Sequence, residues 1–447
     1  MIDRLLRFGV DILDIFRSGK FSYGELSKLK RIQYYDESKL NMLIDYRIKR
    51  TLKQAYFQTS FYKKLYDSQK IILDKIKKAN DLYILPIISK SMLRENFPKQ
   101  ITSYRNLHRA RYDKTSGSTG EPFEFYYDIN SVPIRYSAYM LFNTWMNVNP
   151  HAKHVQIASP KPQTKYNRLI NKVFRKYKIS TLDIKQETIA KVIQRINMID
   201  PVYLEGYSAS LYNTARLVEE LALELHIKPR AVIATSEDLI ESHRKKIEDV
   251  FDSTVYNRYG SREFSGALAQ ECSLFEGLHV NSALVYVEIV DDDGMPVGEG
   301  ERGRIIVTDF HNDVMPFIRY DIGDSAIKGP EIGECGRTFP IIKDIKGKSE
   351  FFLISKKDER IPIETIQTYL FHKYASNVTK FQFLHNSKGT LTLKIVPAKN
   401  FSQDMLGGMD QYLESTLNNF TINIEIVEEI PPLKSGKTPY FIVGFPH

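Results

Sequence analysis

Short apolar runs alternate with amphipathic stretches through the middle of this chain, and this alternation constrains the fold more than any other feature. The apolar runs have the length of buried strands, and the stretches between them repeat with the period of a helix. Strands separated by helices favour α/β layers. The apolar runs are 154–158, 202–204, 231–235 and 255–258, and the clearest helical patterns are 209–225 and 241–251.

The regions on either side of this layered part have different patterns. Apolar residues from Ile2 to Phe16 recur mostly every three or four positions, and residues 47–78 form another long helix-like segment, so the first part of the chain is expected to be mainly helical. From Leu284 onward strand patterns dominate. Residues 285–290 and 304–308 flank a turn at 293–296, which predicts a hairpin in a β-rich part.

The residues after Gly347 have the pattern of a small α+β domain, with helices at 364–374 and 402–417 and strands at 380–384, 390–396 and 422–427. The predicted fold class is therefore α/β, with a large layered N-terminal domain, a β-rich subdomain and a small C-terminal domain. The predicted large domain spans 1–348, divided into 1–110 (mainly helical), 111–283 (α/β) and 284–348 (β-rich), and the small domain spans 349–447.

Length and composition are typical of a two-domain cytoplasmic protein. The chain of 447 residues is too long for one ordinary core, and its 42% apolar and 26% charged residues are typical of globular domains. No apolar stretch reaches the ~20 residues that span a bilayer. Asp3 and Arg4 interrupt the first apolar residues, which argues against a signal peptide. Two cysteines exclude a disulfide framework.

A basic stretch from Lys161 to Lys178 contributes to the net charge of +9. Because Leu169, Val173 and Phe174 interleave with its basic residues at helical spacing, we interpret it as a solvated helix with one buried face. The alternative is a surface for anionic lipid or a phosphorylated substrate, which would give the protein a peripheral contact with the inner face of the membrane. Nucleic acid is not expected as a partner, since no groove-reading or base-stacking module is recognisable.

The strongest chemical signal is the octet 115–122, Thr-Ser-Gly-Ser-Thr-Gly-Glu-Pro. Its two glycines let the backbone approach an anion closely, and its hydroxyl groups supply donors around the same point. The Gly-Lys-Ser/Thr ending of a Walker loop is missing. A flexible Ser/Gly linker is the other interpretation, but Tyr126 and Tyr127 soon follow instead of further Gly and Ser residues.

The octet resembles the phosphate loop of the acyl-adenylate-forming superfamily, and motifs along nearly the whole chain follow that superfamily's order. The chain is most similar to the phenylacetate–coenzyme A ligase family, in its branch associated with capsular polysaccharide biosynthesis. Each motif is weak alone, and their collinear order makes the resemblance strong. The matching segments are 60–62, 85–90, 206–211, 236–237, 259–263 and 319–324.

This resemblance implies ATP and Mg²⁺ as ligands and a small carboxylic acid as substrate. The implied catalytic residues are Thr119, Glu263, which would hold Mg²⁺ through its carboxylate, and Lys437, which would bridge the substrate carboxylate and the α-phosphate. Lys434 is the nearby alternative to Lys437. The implied nucleotide-binding residues are Thr115, Ser116, Gly117, Ser118 and Gly120 at the phosphates, Ser236, Glu237, Tyr259 and Gly260 near the adenine, and Arg319 and Asp324 at the ribose.

The hinge between the two domains departs from the family pattern. Lys348 stands in place of an arginine and Glu350 in place of an aspartate, and a lysine cannot reproduce the planar, two-pronged guanidinium. The glycine-containing loop that follows in the family is missing as well. This departure leaves the acceptor of the acyl group open between coenzyme A and an amine or hydroxyl group on a sugar or amino acid.

Members of this branch can bind zinc through cysteine and histidine, and Cys272, His279 and Cys335 match three of the ligands. A structural zinc site usually has four ligands, and Gly333 occupies the position where a further cysteine would be expected. We therefore expect two free thiols and an ordinary histidine here, without bound zinc.

The expected function is ATP-dependent activation of a carboxylic acid as an acyl-adenylate, followed by acyl transfer to a thiol, amine or hydroxyl acceptor in capsular or surface polysaccharide biosynthesis. Segments around Phe142, Tyr207 and 259–264 would form the acid pocket. The alternative is a non-catalytic component that binds a nucleotide or glycan within a membrane-associated polysaccharide assembly complex.

Overall fold

The computed structural model describes residues 22–115, 123–158, 168–169, 171–172, 174–347, 352–357, 360–363, 366, 370, 373–374, 377–417, 419–431 and 440–444. One sheet of eleven strands dominates the molecule, and a sheet of four strands forms separately near the C-terminus. The predicted class, a large layered α/β domain with a β-rich part and a small α+β domain, is confirmed. The predicted boundary at 348/349 lies outside the described residues and stays a prediction.

Helices form most of the described residues from 22 to 109, and the predicted helical pattern from Ile2 to Phe16 lies outside the described residues. The long helix expected over 47–78 is interrupted. Thr59 adopts an extended conformation with φ −131° and ψ 140°, and its hydroxyl accepts a hydrogen bond from the Tyr62 amide at 3.3 Å. That bond caps a new helix, so the first one ends at this point. The elements are α1 Ser22–Ile32, α2 Glu37–Gln58, α3 Ser60–Ser68 and α4 Lys90–Asn96, followed by the two-stranded ribbon of β1 Ala110–Lys114 and β2 Glu124–Asp128.

Five parallel strands, in the order β4-β3-β5-β6-β7, form one half of the large sheet. Their inner side chains pack with three helices on one face, α6, α7 and α8. On the other face α5 approaches the strands, where Asn143 contacts Tyr203 and Arg258. The elements are α5 Val132–Trp145, β3 His154–Ala158, β4 Lys176–Ser180, α6 Ile189–Ile199, β5 Tyr203–Tyr207, α7 Ser208–Glu220, β6 Ala231–Thr235, α8 Glu241–Phe251 and β7 Val255–Ser261.

Strand β4 corrects the interpretation of the basic stretch. The helix expected over 161–178 cannot include its last residues, because they pair in parallel with β3 at the edge of the sheet. In this edge strand Tyr177 is exposed, so it does not belong to a buried helical face. Lys161 and Lys165 lie outside the described residues.

The other half of the large sheet is antiparallel and follows β7 in the order β8-β9-β13-β12-β11-β10. The predicted hairpin is confirmed, since β10 and β11 pair from Val285↔Asp309 to Val290↔Arg304. Gly294 lies in its turn with φ +81°, a conformation that favours glycine. The strands are β8 Gly266–Glu271, β9 Leu278–Val280, β10 Val285–Val290, β11 Arg302–Asp309, β12 Tyr320–Lys328 and β13 Ile341–Lys346.

The small C-terminal domain has its own sheet, in the order β18-β17-β16-β19, with α9 packed on its core through Met409 and Leu413. Ile240 of the large domain packs against the same core. No helix among the described residues is long and apolar enough to cross a membrane. The elements are β14 Phe352–Ile354, β15 Arg360–Pro362, β16 Val378–Ser387, β17 Thr390–Pro397, α9 Gln403–Thr416, β18 Thr421–Ile426 and β19 Phe441–Val443.

Candidate active site

Strands β7 and β12 bring two of the matched motifs together, although several strands separate them along the chain. The hydroxyl of Tyr259 donates a hydrogen bond of 2.6 Å to Oδ2 of Asp324. Burial and the neighbouring Asp324 carboxylate raise the pKa of Tyr259 well above its ordinary value, so the phenol keeps its proton and remains a donor. The Asp324 carboxylate is thereby held beside Tyr259.

Gly260 is a position where a side chain does not fit. A Cβ atom there would lie 2.4 Å from the carbonyl oxygen of Gly266, which is too close for any other residue. Two residues later, Arg262 forms an ion pair with Asp113 through contacts of 2.6 and 2.9 Å. Because Asp113 belongs to β1, which leads into the octet, this ion pair holds the 259–263 turn next to the start of the octet.

Glu263 is a buried carboxylate, only 5% exposed, and polar groups surround it. Ser261 donates a hydrogen bond to its Oε2 atom, and the Tyr320 hydroxyl lies 3.3 Å from Oε1. Lys90 approaches the same Oε1 atom at 3.4 Å. Burial, followed by Glu263, raises the pKa of Tyr320 well above its ordinary value. A carboxylate held in this way presents the hard oxygen ligand that Mg²⁺ prefers.

The structure describes the two stems of the octet. The Thr115 amide donates to the Phe123 carbonyl at 2.9 Å, and the Phe123 amide donates to the Thr115 hydroxyl at 3.0 Å. These bonds join Thr115 to Phe123, the described residues on either side of 116–122. The remaining predicted residues Ser116, Gly117, Ser118, Thr119 and Gly120, together with Lys348, Glu350, Lys434 and Lys437, lie outside the described residues.

Ser236 and Glu237 follow the end of β6, at the same end of the parallel strands as Tyr259 of β7. Ser236 has φ +68° and turns the chain sharply. One carboxylate oxygen of Glu237 accepts a hydrogen bond of 3.0 Å from the Ala209 amide at the start of α7, and its carbonyl accepts one of 3.1 Å from Ser208. The Glu237 carboxylate therefore stabilises the first turn of α7, where an acidic group is favourable.

Asp238 is a neighbour of this site that sequence reasoning missed. Burial raises its pKa to about 6, and the Asp324 carboxylate adds to that rise. A Cβ atom on Gly347 would lie 3.8 Å from Asp238 and 3.9 Å from Asp324, so the residue just before the predicted hinge faces both carboxylates. The available signal was an acidic residue just beyond the end of a parallel strand, where binding sites of α/β sheets lie.

Arg319, expected to support the ribose corner of the nucleotide site, has a buried side chain, and its role at the nucleotide stays a prediction. Its side chain is buried and forms an ion pair of 3.1 Å with Glu288. The same guanidinium donates to the carbonyl groups of Tyr83, Leu85 and Gly294. These contacts join the start of β12 to the segment 83–85 and to the turn of the β10–β11 hairpin.

The aromatic residues considered for the acid pocket include two core residues. Phe142 is fully buried, and its ring packs 4.7 Å from that of Trp145. Phe264 is also buried and packs 5.4 Å from Phe317. Neither ring lines an open pocket in the described part of the chain, which leaves Tyr207 and Tyr259 as the partly exposed aromatic residues of those segments.

A second group of side chains lies in the antiparallel half of the sheet. The donor atoms of Cys272, His279 and Cys335 all lie within 4.8 Å of one another. The His279 Nε2 atom is 3.3 Å from the Cys335 sulfur, while Nδ1 is 3.0 Å from the Phe339 carbonyl oxygen. These donors fit three corners of a tetrahedral zinc site. A Cβ atom on Gly333 would lie 2.5 Å from Oε2 of Glu276, so a carboxylate occupies the space of the missing cysteine. The expectation of free thiols stays a prediction.

Comparisons with known proteins connect this site to an enzyme family. Residues 353–443 match the family model described as the CapK C-terminal domain. The chain is 26% identical over 445 residues to protein CapK of Staphylococcus aureus, and the aligned region covers 96% of this chain and 94% of CapK. It is also 26% identical over 345 residues to the phenylacetate-coenzyme A ligase of Escherichia coli strain K12, with 73% of this chain and 75% of that ligase covered.

A solved structure shares the fold over both domains. The 2-hydroxyisobutyryl-CoA ligase in its postadenylation state, in complex with R3-HIB-AMP, has a TM-score of 0.75 at 17% identity, covering 93% of this chain and 91% of that chain. The same ligase in its thioesterification state gives a TM-score of 0.63. The expected resemblance is confirmed: over most of its length this chain is similar to CapK and to a phenylacetate-coenzyme A ligase, and its C-terminal part matches the CapK C-terminal domain, which supports an adenylate-forming ligase.

Proposed function

We propose that the protein activates a carboxylic acid with ATP and then transfers the acyl group to an acceptor. In the first step a carboxylate oxygen attacks the α-phosphorus, the bond to the β-phosphate oxygen breaks, and acyl-adenylate and pyrophosphate form. The observation that carries this proposal is the meeting of Tyr259, Asp324 and Glu263 beside the closed base of the octet.

Each residue would meet one demand of this reaction, which needs positioning and charge neutralisation more than covalent chemistry. Asp324, held by Tyr259, would accept hydrogen bonds from the ribose hydroxyls. Glu263 would hold Mg²⁺, whose charge offsets that of the phosphates. The octet, including Thr119, would bind the phosphates through amides and hydroxyl groups, and Lys437 would bridge the two reacting groups.

The acceptor of the acyl group divides the proposal into two versions. The names of the phenylacetate-coenzyme A ligases support a thiol, namely that of coenzyme A. The altered hinge residues Lys348 and Glu350 and the similarity to CapK support an amine or hydroxyl group on a sugar or amino acid, in surface polysaccharide biosynthesis. Rapid formation of an acyl-coenzyme A product from the natural acid would remove the reason for preferring the second version.

The test is ATP–pyrophosphate exchange with radiolabelled pyrophosphate across aryl, fatty, amino and uronic acids. We expect exchange with one class of acid, and a loss of roughly 100-fold or more in Lys437→Ala, because a charge that stabilises the transition state is removed. Lys399→Ala, an exposed lysine of the same domain, is the matched control and should leave exchange unchanged. Tight ATP binding without exchange for any acid would contradict the proposal and favour the non-catalytic alternative.

A further inference from the structure

Lys90 lies close to Glu263, the candidate magnesium ligand. It does not belong to the motifs that are expected to bind the nucleotide. Its Nζ atom lies 3.4 Å from Oε1 of Glu263 and 5.6 Å from the centre of the Phe123 ring. The Glu263 side chain is 6% exposed and that of Lys90 is 32% exposed. The ammonium group is therefore the more exposed partner of this ion pair and is accessible from solvent.

Backbone hydrogen bonds fix the segment that carries Lys90. The Ile88 amide donates to the Arg319 carbonyl at 2.9 Å, and the Asp321 amide donates to the Ile88 carbonyl at 3.0 Å. The Ser89 hydroxyl accepts a hydrogen bond of 3.2 Å from the Met92 amide. The two Ile88 bonds join the segment to the start of β12, and the Ser89 bond caps the helix that begins at Lys90. Lys90 is therefore held next to the strand that carries Asp324.

The position of Lys90 also relates it to the octet. Phe123 is the first described residue after the octet, and its hydrogen bonds with Thr115 close the base of the loop. An ammonium group that contacts both Phe123 and Glu263 lies between that base and the candidate metal ligand. A polyphosphate beside Glu263, as the proposed function requires, would add negative charge next to this buried carboxylate, and this arrangement needs a cation. Lysine supplies a compact charge that binds phosphate well.

We propose that Lys90 binds the β- and γ-phosphates of ATP, and the pyrophosphate released from them, on the Glu263 side of the octet. This inference rests on the proposed function and adds a phosphate-binding residue to it. The rival role is an ion pair that only positions Glu263. The two roles differ in their ligand dependence, since AMP lacks the phosphates that Lys90 would contact.

The test compares Lys90→Met and Lys90→Arg with Lys99→Met, a control at an exposed lysine just beyond the same helix. Calorimetric titration with MgATP and with AMP, and the KM for pyrophosphate in the exchange reaction, are the measurements. We expect Lys90→Met to weaken MgATP and pyrophosphate binding about tenfold or more, as for a lost charged hydrogen bond, with AMP affinity retained. Lys90→Arg should recover most of the loss, and Lys99→Met should show none.

Three results would overturn the inference. Unchanged MgATP and pyrophosphate binding in Lys90→Met would show that the ammonium does not touch the phosphates. An equal loss for AMP and MgATP would assign Lys90 to positioning alone, and thermal unfolding of the variant would separate that result from misfolding. Absence of both ATP binding and exchange in the unaltered protein would instead overturn the proposed function, and this inference with it.

Discussion

Single residues decide whether Cys272, His279 and Cys335 can hold a metal ion. Their donor atoms converge within 4.8 Å, and a glycine stands at 333. A fourth ligand, here a third thiolate, would close the tetrahedron, so we expect Gly333→Cys to raise the zinc affinity of metal-free protein roughly 100-fold or more. Competition with a chromophoric chelator measures that affinity, and a cobalt spectrum reports the number of thiolate ligands.

Glu276 supplies the control for this prediction. The side chain that Gly333→Cys introduces would meet the end of the flexible Glu276 side chain, which has to move aside. Glu276→Ala in the same background shows whether that movement limits the gain. If the unaltered protein already retains one zinc ion per chain against the chelator, the expectation of free thiols is wrong. Loss of that zinc in Glu276→Ala would then identify the carboxylate as the fourth ligand.

At the residue scale, the motifs predicted which residues meet but not where each side chain points. Tyr259 and Asp324 were both expected at the nucleotide, and they do lie in hydrogen-bond contact. Arg319 belongs to the same motif, yet its guanidinium turns inward to Glu288. Lys90 and Asp238 were missed because their place beside the site depends on pairing between distant segments, which spacing along the chain does not encode.

At the scale of elements, β3, β5 and β7 share a buried polar network beneath α5. Glu205 accepts a hydrogen bond of 2.8 Å from Gln156 and lies 3.6 Å from the Arg258 guanidinium. Arg258 also donates to Gln270 and Asn143, at 2.6 and 2.9 Å. Burial opposes ionisation of Glu205, but nearby Lys176 and Arg258 outweigh it and lower the pKa of this carboxyl group. The strands are thus joined by charges whose removal is costly.

Replacing one partner of this network should destabilise the large domain. Glu205→Gln keeps the shape but leaves two cations without their carboxylate, so we expect the free energy of unfolding to fall by about 3 kcal/mol. The lowered pKa means that the carboxylate stabilises the fold above the ordinary value of 4.5 and loses that effect as the pH falls through the folded-state pKa. Urea unfolding at several pH values should show that the difference in free energy of unfolding between the unaltered protein and Glu205→Gln becomes smaller in acid.

The control for this prediction is Glu224→Gln, since the Glu224 side chain is 84% exposed. It should change the free energy of unfolding by less than about 0.5 kcal/mol. A pH-independent loss in Glu205→Gln would show that packing, and not charge, is responsible. An unchanged stability would mean that the carboxylate and its cations contribute nothing net to the fold.

Helices and strands with a clear periodicity of apolar residues were predicted well. Elements whose bounds depend on capping or on pairing with another strand were not. The strand at 231–235 and the helix at 241–251 have the predicted bounds, because their apolar periods match burial on a sheet face. The helix break at Thr59 depends on one capping hydroxyl. Strand β4 has a pattern that also suits a helix, and pairing with β3 decides between the two.

At the scale of the whole molecule, the two domains meet across a small crevice. Tyr212 and His243 line it from the large domain, with their rings stacked 3.9 Å apart, and Lys380 and Phe381 line it from the small domain. Burial lowers the pKa of His243 to about 3, so this ring stays neutral. Such an incompletely filled interface suits domains that separate during a reaction cycle.

Ile240 is the apolar contact that should hold this arrangement, because it packs against the core of the small domain. Ile240→Asp would place a charge against that core and favour separated domains. Since Lys437 belongs to the small domain, separation should slow ATP–pyrophosphate exchange about tenfold or more, while ATP binding to the large domain persists. The radius of gyration from small-angle scattering should rise in parallel. Ser242→Asp, an exposed position on the adjoining α8, should change neither quantity. If Ile240→Asp catalyses ATP–pyrophosphate exchange as fast as the unaltered protein, the acid is not activated in the arrangement in which Ile240 packs against the small domain.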